Sequence, residues 1–177
     1  MFKEERDYNR FAWEDLGDIE KGRPNLGLSC PVLVYRLLQY AIRDELIKQF
    51  NVEKGREIFI NAGTLAGVEF CKNILNTDLD LNEFLAELQD KLKKLNIGIL
   101  RIEKTDLQKM ELVLTVSEDL DCSGLPMSDE TVCEWDEGFI AGILNTYTGK
   151  EFHVKEIDCW ALGDRTCRFS VNLKEQV

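Results

Sequence analysis

The spacing of apolar residues along the chain changes period once, and the change divides it into two halves. From Val32, the residues Val32, Tyr35, Leu38, Ile42, Leu46 and Phe50 recur every three or four positions, as on one face of a helix. Pro31 suits the first turn of such a helix. A second helix is predicted from about Val52 to Leu75. The third carries the strongest pattern. Asp80 and Glu83 form a capping-box-like pair, followed by the stripe Leu81, Phe84, Leu85, Leu88, Leu92 and Leu95. Beyond it the period falls to two. Ile97 to Glu103 and Met110 to Ser117 read as strands joined by a turn near Thr105 and Asp106. In the second, Met110, Leu112, Leu114 and Val116 alternate with Glu111, Val113, Thr115 and Ser117.

Asp119 to Met127, with Gly124 and Pro126, reads as a loop. Ser128, followed by Asp129 and Glu130, reads as the N-cap of a helix that stops at Gly149. Two last strands, about Phe152–Leu162 and Arg165–Leu173, form a hairpin. The predicted fold is α+β: an antiparallel sheet of about four strands packed against helices, in the order ααα-ββ-α-ββ. No Pro-, Gly- or Ser-rich linker interrupts it, so residues 1–177 are expected to form one domain. Within it, 1–30 make an N-terminal arm with little regular structure, 31–96 a helical half and 97–177 a metal-binding half. Two predicted helices share a G-x-x-A-G pattern, Gly63 to Gly67 and Gly138 to Gly142. Glycine costs about 1 kcal/mol in a helix relative to alanine. The pattern therefore points to a notch for close backbone packing.

The net charge of −11 argues against nucleic acid, which selects basic stripes, and against an anionic membrane surface. The N-terminal residues contain no apolar signal region, and the longest apolar stretch, Pro31 to Ile42, is too short to span a bilayer. A cytoplasmic location follows as an expectation. There, six cysteines are thiols or metal ligands rather than disulfides. Cys30 and Cys71 lie in apolar helical patterns and are expected to be small buried hydrophobes.

The chemistry concentrates in Cys133, Glu156, Cys159 and Cys167. Three thiols and a carboxylate make a complete tetrahedral shell for zinc. Cys159 and Cys167 stand symmetrically about Gly163, so a hairpin turning there sets them opposite each other. Such a pair also suits a cross-strand disulfide. Glu156 shares a face with Cys159 only if the strand is irregular. The apolar phase slips between Val154 and Ile157, which predicts a β-bulge near Lys155 and Glu156. Cys133 is expected in the first turn of its helix, where the dipole favours thiolate. Cys122, eleven residues earlier, is the alternative fourth ligand.

From about Val113 to Val171 the chain resembles the 4-vinyl reductase domain family. The resemblance rests on the run from Cys133 to Gly142, on Gly149, on Glu156-Ile157-Asp158-Cys159, and on the run from Gly163 to Phe169. It is similar also to the sensor regions of phenol- and xylene-responsive transcription activators and, in fold, to TRAPP tethering subunits. In those sensors three cysteines and a glutamate hold zinc, which implies Cys133, Glu156, Cys159 and Cys167 as the ligand set here. The resemblance implies a structural zinc beside a pocket for a small apolar or aromatic molecule, in a homodimer joined through the N-terminal helices. A cofactor-dependent reductase and a scaffold protein are the alternatives. No dinucleotide fingerprint is present, and the lone His153 has no evident catalytic partner, so no catalytic residue is assigned.

Overall fold

The computed structural model describes residues 11–106 and 109–174. A short 3-10 turn, Trp13–Leu16, and a single helical turn, α1 (Ile19–Gly22), are followed by α2 (Val32–Gln49), α3 (Val52–Ile74) and α4 (Leu81–Lys94). Then come β1 (Ile99–Asp106), β2 (Glu111–Ser117), α5 (Glu134–Thr148), β3 (Phe152–Asp158) and β4 (Cys167–Leu173). The fold is α+β, and the three long helices before the sheet follow the predicted order. The four strands form one antiparallel sheet in the order β1-β2-β4-β3. Residues 1–10 of the expected arm, and two residues of the β1–β2 turn, lie outside the described part of the chain.

Local chemistry explains the element ends. Asp80 caps α4 by accepting from the N–H groups of Asn82 and Glu83 at 2.9 and 3.0 Å. Asn51 caps α3 through Lys54 N–H at 2.7 Å. Gly149 ends α5 in the left-handed conformation with φ 69°. The stripe on α4 buries Phe84, Leu85, Leu88 and Leu92, and β2 buries Leu112, Leu114 and Val116, as their periods predicted.

Helices α3 and α5 meet backbone to backbone. A Cβ at Gly138 would stand 2.0 Å from the Ile60 carbonyl oxygen, and one at Gly142 would stand 2.2 Å from that of Thr64. Cβ atoms at Gly63 and Gly67 would stand 2.2 Å from the carbonyl oxygens of Trp135 and Phe139. Both G-x-x-A-G notches are thus consumed by this one crossing, which seats the N-terminus of α5 over the metal half.

Four expectations need correction. The α5 helix begins at Glu134, not Ser128: the Ser128 N–H is drawn to Ala161 O at 2.6 Å, which holds 128–132 as a loop. The hairpin strands are shorter than predicted, because a 3-10 turn (Trp160–Leu162) and Gly163 at φ 98° make the connection. The bulge falls at Ile157, between Glu156 and Asp158, and turns Ile157 outward. Cys30 is exposed, because it precedes α2 rather than packing within a helix; Cys71 is buried.

Helix α2 buries none of its residues. One face carries exposed Leu33, Val34, Leu37 and Leu38. The other reaches the rest of the molecule through polar groups, described next.

Candidate metal centre and adjoining pocket

The bulge at Ile157 does what a regular strand cannot: it lets Glu156 and Cys159, three residues apart, both point inward, each buried. Beyond it, the Cys159–Gly163 turn is locked by Leu162 N–H to Cys159 O at 3.0 Å. Asp164 N–H also donates to Cys159 O, and Asp164 Oδ2 accepts from Cys159 N–H. Cys167 opens β4. Cys133 is the N-cap residue of α5, with φ −97° and ψ 41°, so its thiol swings toward the turn instead of joining the helix.

Cys122 completes the arrangement. The sulfurs of Cys122, Cys133, Cys159 and Cys167 all lie within 4.8 Å of one another, and all four residues are fully buried. Cys133 Sγ is 3.9 Å from Cys159 Sγ and 3.8 Å from Cys167 Sγ. Four sulfurs about 2.3 Å from a common zinc are about 3.8 Å apart. Cys122 Sγ and Cys167 Sγ are closer, at 3.0 Å. Glu156 lies alongside. Its Oε2 accepts from Cys133 N–H at 3.1 Å, while its Oε1 is buried with no hydrogen-bond partner among the described residues. The structure therefore brings Cys133, Cys159 and Cys167 together as the sequence predicted, adds Cys122, and sets Glu156 at the edge.

The electrostatics suit a cation. Hydrogen bonding from Cys122, Cys133 and Cys167 holds the Cys159 thiol far below its ordinary pKa. Burial, then the charge at Cys159, pushes the Glu156 carboxyl up to about 8. Around it, Glu137 Oε1 accepts from Glu156 N–H at 2.9 Å and from Lys155 Nζ at 2.7 Å.

The loop that presents Cys122 is fixed from two sides. Asp119 Oδ1 accepts from the N–H groups of Asp121 and Cys122 at 2.8 and 3.0 Å. From α2, Arg36 donates to the carbonyl oxygens of Leu120, Asp119 and Ser123 at 2.8, 3.3 and 2.9 Å. Tyr35 donates to Asp121 Oδ1 at 2.7 Å, and Tyr40 to Asp121 O at 3.1 Å. Arg43 and Arg56 both pair with buried Glu134, next to Cys133, at 3.0 Å. None of these partners from α2 and α3 was legible in the sequence, because each contact spans about 80 residues or more. Arg36→Met removes three donors to the Cys122 loop. It should weaken metal binding about tenfold, measured by competition with a chromogenic chelator; an unchanged affinity would show that the clamp does not position the loop.

Beside this centre, α4, α5 and the sheet enclose an apolar pocket of about 30 Å³, walled by residues such as Leu88, Leu114 and Ile143. Its polar lining is Asp119 and Asp136. Asp136 Oδ2 is buried without a hydrogen-bond partner among the described residues. Burial, followed by repulsion from Asp119 and Asp121, pushes the Asp136 carboxyl well above the usual range. No described helix is long and apolar enough to cross a membrane.

Known proteins share this arrangement in part. Residues 112–173 match the model of the vinyl-4-reductase domain family. An uncharacterized protein of Methanocaldococcus jannaschii is 26% identical over 111 residues, a match spanning 63% of this chain and 63%, under two thirds, of that one. Among solved structures, the phenol-responsive sensory domain of the transcription activator PoxR, determined with phenol, superposes with a TM-score of 0.64 at 16% identity over 83% of this chain and 76% of that one. A vinyl-4-reductase family protein from Methanocaldococcus jannaschii gives 0.57 at 20% identity, covering 96% of this chain and 99% of that one. A trafficking protein particle complex subunit 3 from Naegleria fowleri, covalently bound to palmitic acid, gives 0.66 at 13% identity, covering 81% and 95%. At these identities the structural likenesses speak for the fold.

Proposed function

Starting from residues 112–173 as a vinyl-4-reductase-type domain, we propose that the protein is a sensor-like module that binds a small apolar or aromatic molecule and is stiffened by one structural zinc ion. The observation that carries the reading is the convergence of four buried sulfurs within 4.8 Å of one another. A closed set of four protein ligands leaves no position for a reacting water, so zinc would act as a cross-link between the Cys122 loop, the start of α5 and the β3–β4 turn. Cys122, Cys133, Cys159 and Cys167 form the ligand set favoured by position. A second set replaces Cys122 by Glu156; the unpartnered Glu156 Oε1 supports it. The two separate cleanly: Cys122→Ser and Glu156→Gln proteins are compared for zinc content, and the variant that loses metal names the fourth ligand.

The ligand is assigned to the pocket beside the metal, between α4, α5 and the sheet. An apolar wall with a few convergent polar groups is the usual character of a small-molecule site, and Asp119 and Asp136 provide the acceptors. PoxR, the phenol-responsive neighbour, makes phenol the first probe. At about 30 Å³ the cavity holds only a water or two, so α4 must yield on binding. Leu88→Trp fills it. Calorimetry with phenol should show binding to the zinc-loaded chain and none to Leu88→Trp; equal binding by both would remove the ligand from this pocket.

The exposed apolar face of α2 supports a homodimer, the second copy covering Leu33, Leu37 and Leu38. Leu37→Lys should convert dimer to monomer in light scattering after size exclusion, and a wild type that is itself monomeric at about 100 μM would refute the interface. Free buried thiols and the acidic charge support a place in the reducing cytoplasm.

A further inference from the structure

The segment ahead of α2 builds a cavity that neither the metal centre nor the sheet pocket uses. Phe11 and Trp13 lie across α3 and α5 and join Phe70, Trp135 and Phe139 in enclosing about 450 Å³. Five aromatic side chains from three separate segments thus meet in one place, among them two of the three tryptophans of the chain. Phe70 and Phe139 pack edge to face, with centroids 5.1 Å apart, which fixes one wall. The one charged residue in the lining is Glu69, whose side chain is 17% exposed. Its partners are weak: Lys72 Nζ at 3.5 Å, from a side chain 54% exposed, and Asn73 Nδ2 at 3.5 Å. Among the described residues, no lysine or arginine lines the cavity.

We propose that this aromatic chamber is a second binding site, for a small organic cation such as an aryl- or alkylammonium ion. Ring faces carry negative charge density and attract desolvated cations, most strongly when several surround one ion. Glu69 supplies the balancing charge at the wall. The volume lies in the range of small-molecule sites, about 300 to 1,000 Å³. A neutral apolar ligand would satisfy the rings but leave Glu69 facing hydrocarbon. An anion would meet Glu69 and the net charge of −11. Both considerations select a cation.

The test uses the full zinc-loaded chain, with benzyltrimethylammonium as probe and neopentylbenzene as its uncharged isostere. Binding is read by calorimetry and by the fluorescence of Trp13 and Trp135. The ammonium should bind about tenfold or more tightly than the isostere. Trp13→Leu should cost about tenfold in affinity and Glu69→Gln several-fold, with circular dichroism showing both variants folded. Leu88→Trp, which blocks the sheet pocket, should leave ammonium binding unchanged, so this inference stands or falls apart from the sheet-pocket assignment. Equal or tighter binding of the isostere, insensitivity to Trp13→Leu, absence of ammonium binding at millimolar concentration, or loss of binding in Leu88→Trp would each overturn it.

Discussion

Cys167→Ser should purify without bound metal and unfold at a much lower temperature than the wild type. Cys167 is the residue most entangled in the centre: it is fully buried, its sulfur is 3.0 Å from that of Cys122 and 3.8 Å from that of Cys133, and it begins the strand that pairs on both sides with β2 and β3. It belongs to both candidate ligand sets. A serine hydroxyl is a poor zinc ligand at neutral pH, and its loss would leave the remaining thiols buried around an incomplete site. Apparent zinc-binding free energies for structural sites are on the order of 10 kcal/mol, so even partial coupling to folding lowers stability by several kcal/mol. Cys159→Ser should behave the same way. Cys71→Ala, buried far along α3 and outside the sulfur cluster, should keep its zinc. Metal analysis together with thermal unfolding checks all three. Wild-type metal content in both serine variants would overturn the site, and zinc loss in Cys71→Ala would mean the wrong cysteines were chosen.

Gly138→Ala should be the most destabilising single-methyl addition in the chain. The new Cβ would lie 2.0 Å from Ile60 O and 2.8 Å from Thr64 N, both backbone atoms that no rotamer change can move. Relief requires α3 and α5 to separate by more than an ångström. That would draw Cys133 at the N-terminus of α5 away from its partners and break the Arg43 and Arg56 pairs with Glu134. Overpacking of this kind costs about 3 kcal/mol or more. Gly149→Ala supplies a contrast: it meets no atom within 4 Å and pays only for its left-handed φ of 69°, about 1 kcal/mol. Chemical denaturation should rank the two in that order, and a Gly138→Ala protein as stable as Gly149→Ala would show that the helix crossing is not as tight as described.

These two sites illustrate what a sequence displays. The glycine pairs were readable as a notch because an unfavourable residue repeated at helical spacing in two helices needs a packing reason, and the crossing of α3 with α5 provides it. The period change at Ile97 gave the sheet, because alternation is imposed locally by the pleat. Cys133, Cys159 and Cys167 were readable as chemistry because thiols are few and their spacing about a glycine turn is compact. Cys122 was harder to rank, since its approach depends on Asp119 and on Arg36 from α2, more than 80 residues earlier. The bulge was foreseen but misplaced: the apolar Ile157 suggested an inward side chain, whereas the chain spends its extra residue there and leaves that side chain in solvent. The start of α5 was misread because Ser128 has the chemistry of a helix cap, yet its N–H is claimed by Ala161 across the metal turn. Each miss has the same physical form, a local preference overruled by a contact that only the folded chain makes.

The reading of the C-terminal half as a module organised by one closed metal site is tested most directly by native mass spectrometry of the full chain after reconstitution with zinc, followed by reaction with a thiol-alkylating reagent under native conditions. The account predicts one zinc per chain, with Cys30 modified and the cysteines of the metal centre protected until a chelator is added. A folded chain that carries no zinc, and whose thiols at 122, 133, 159 and 167 react no faster after chelation than before it, would contradict it.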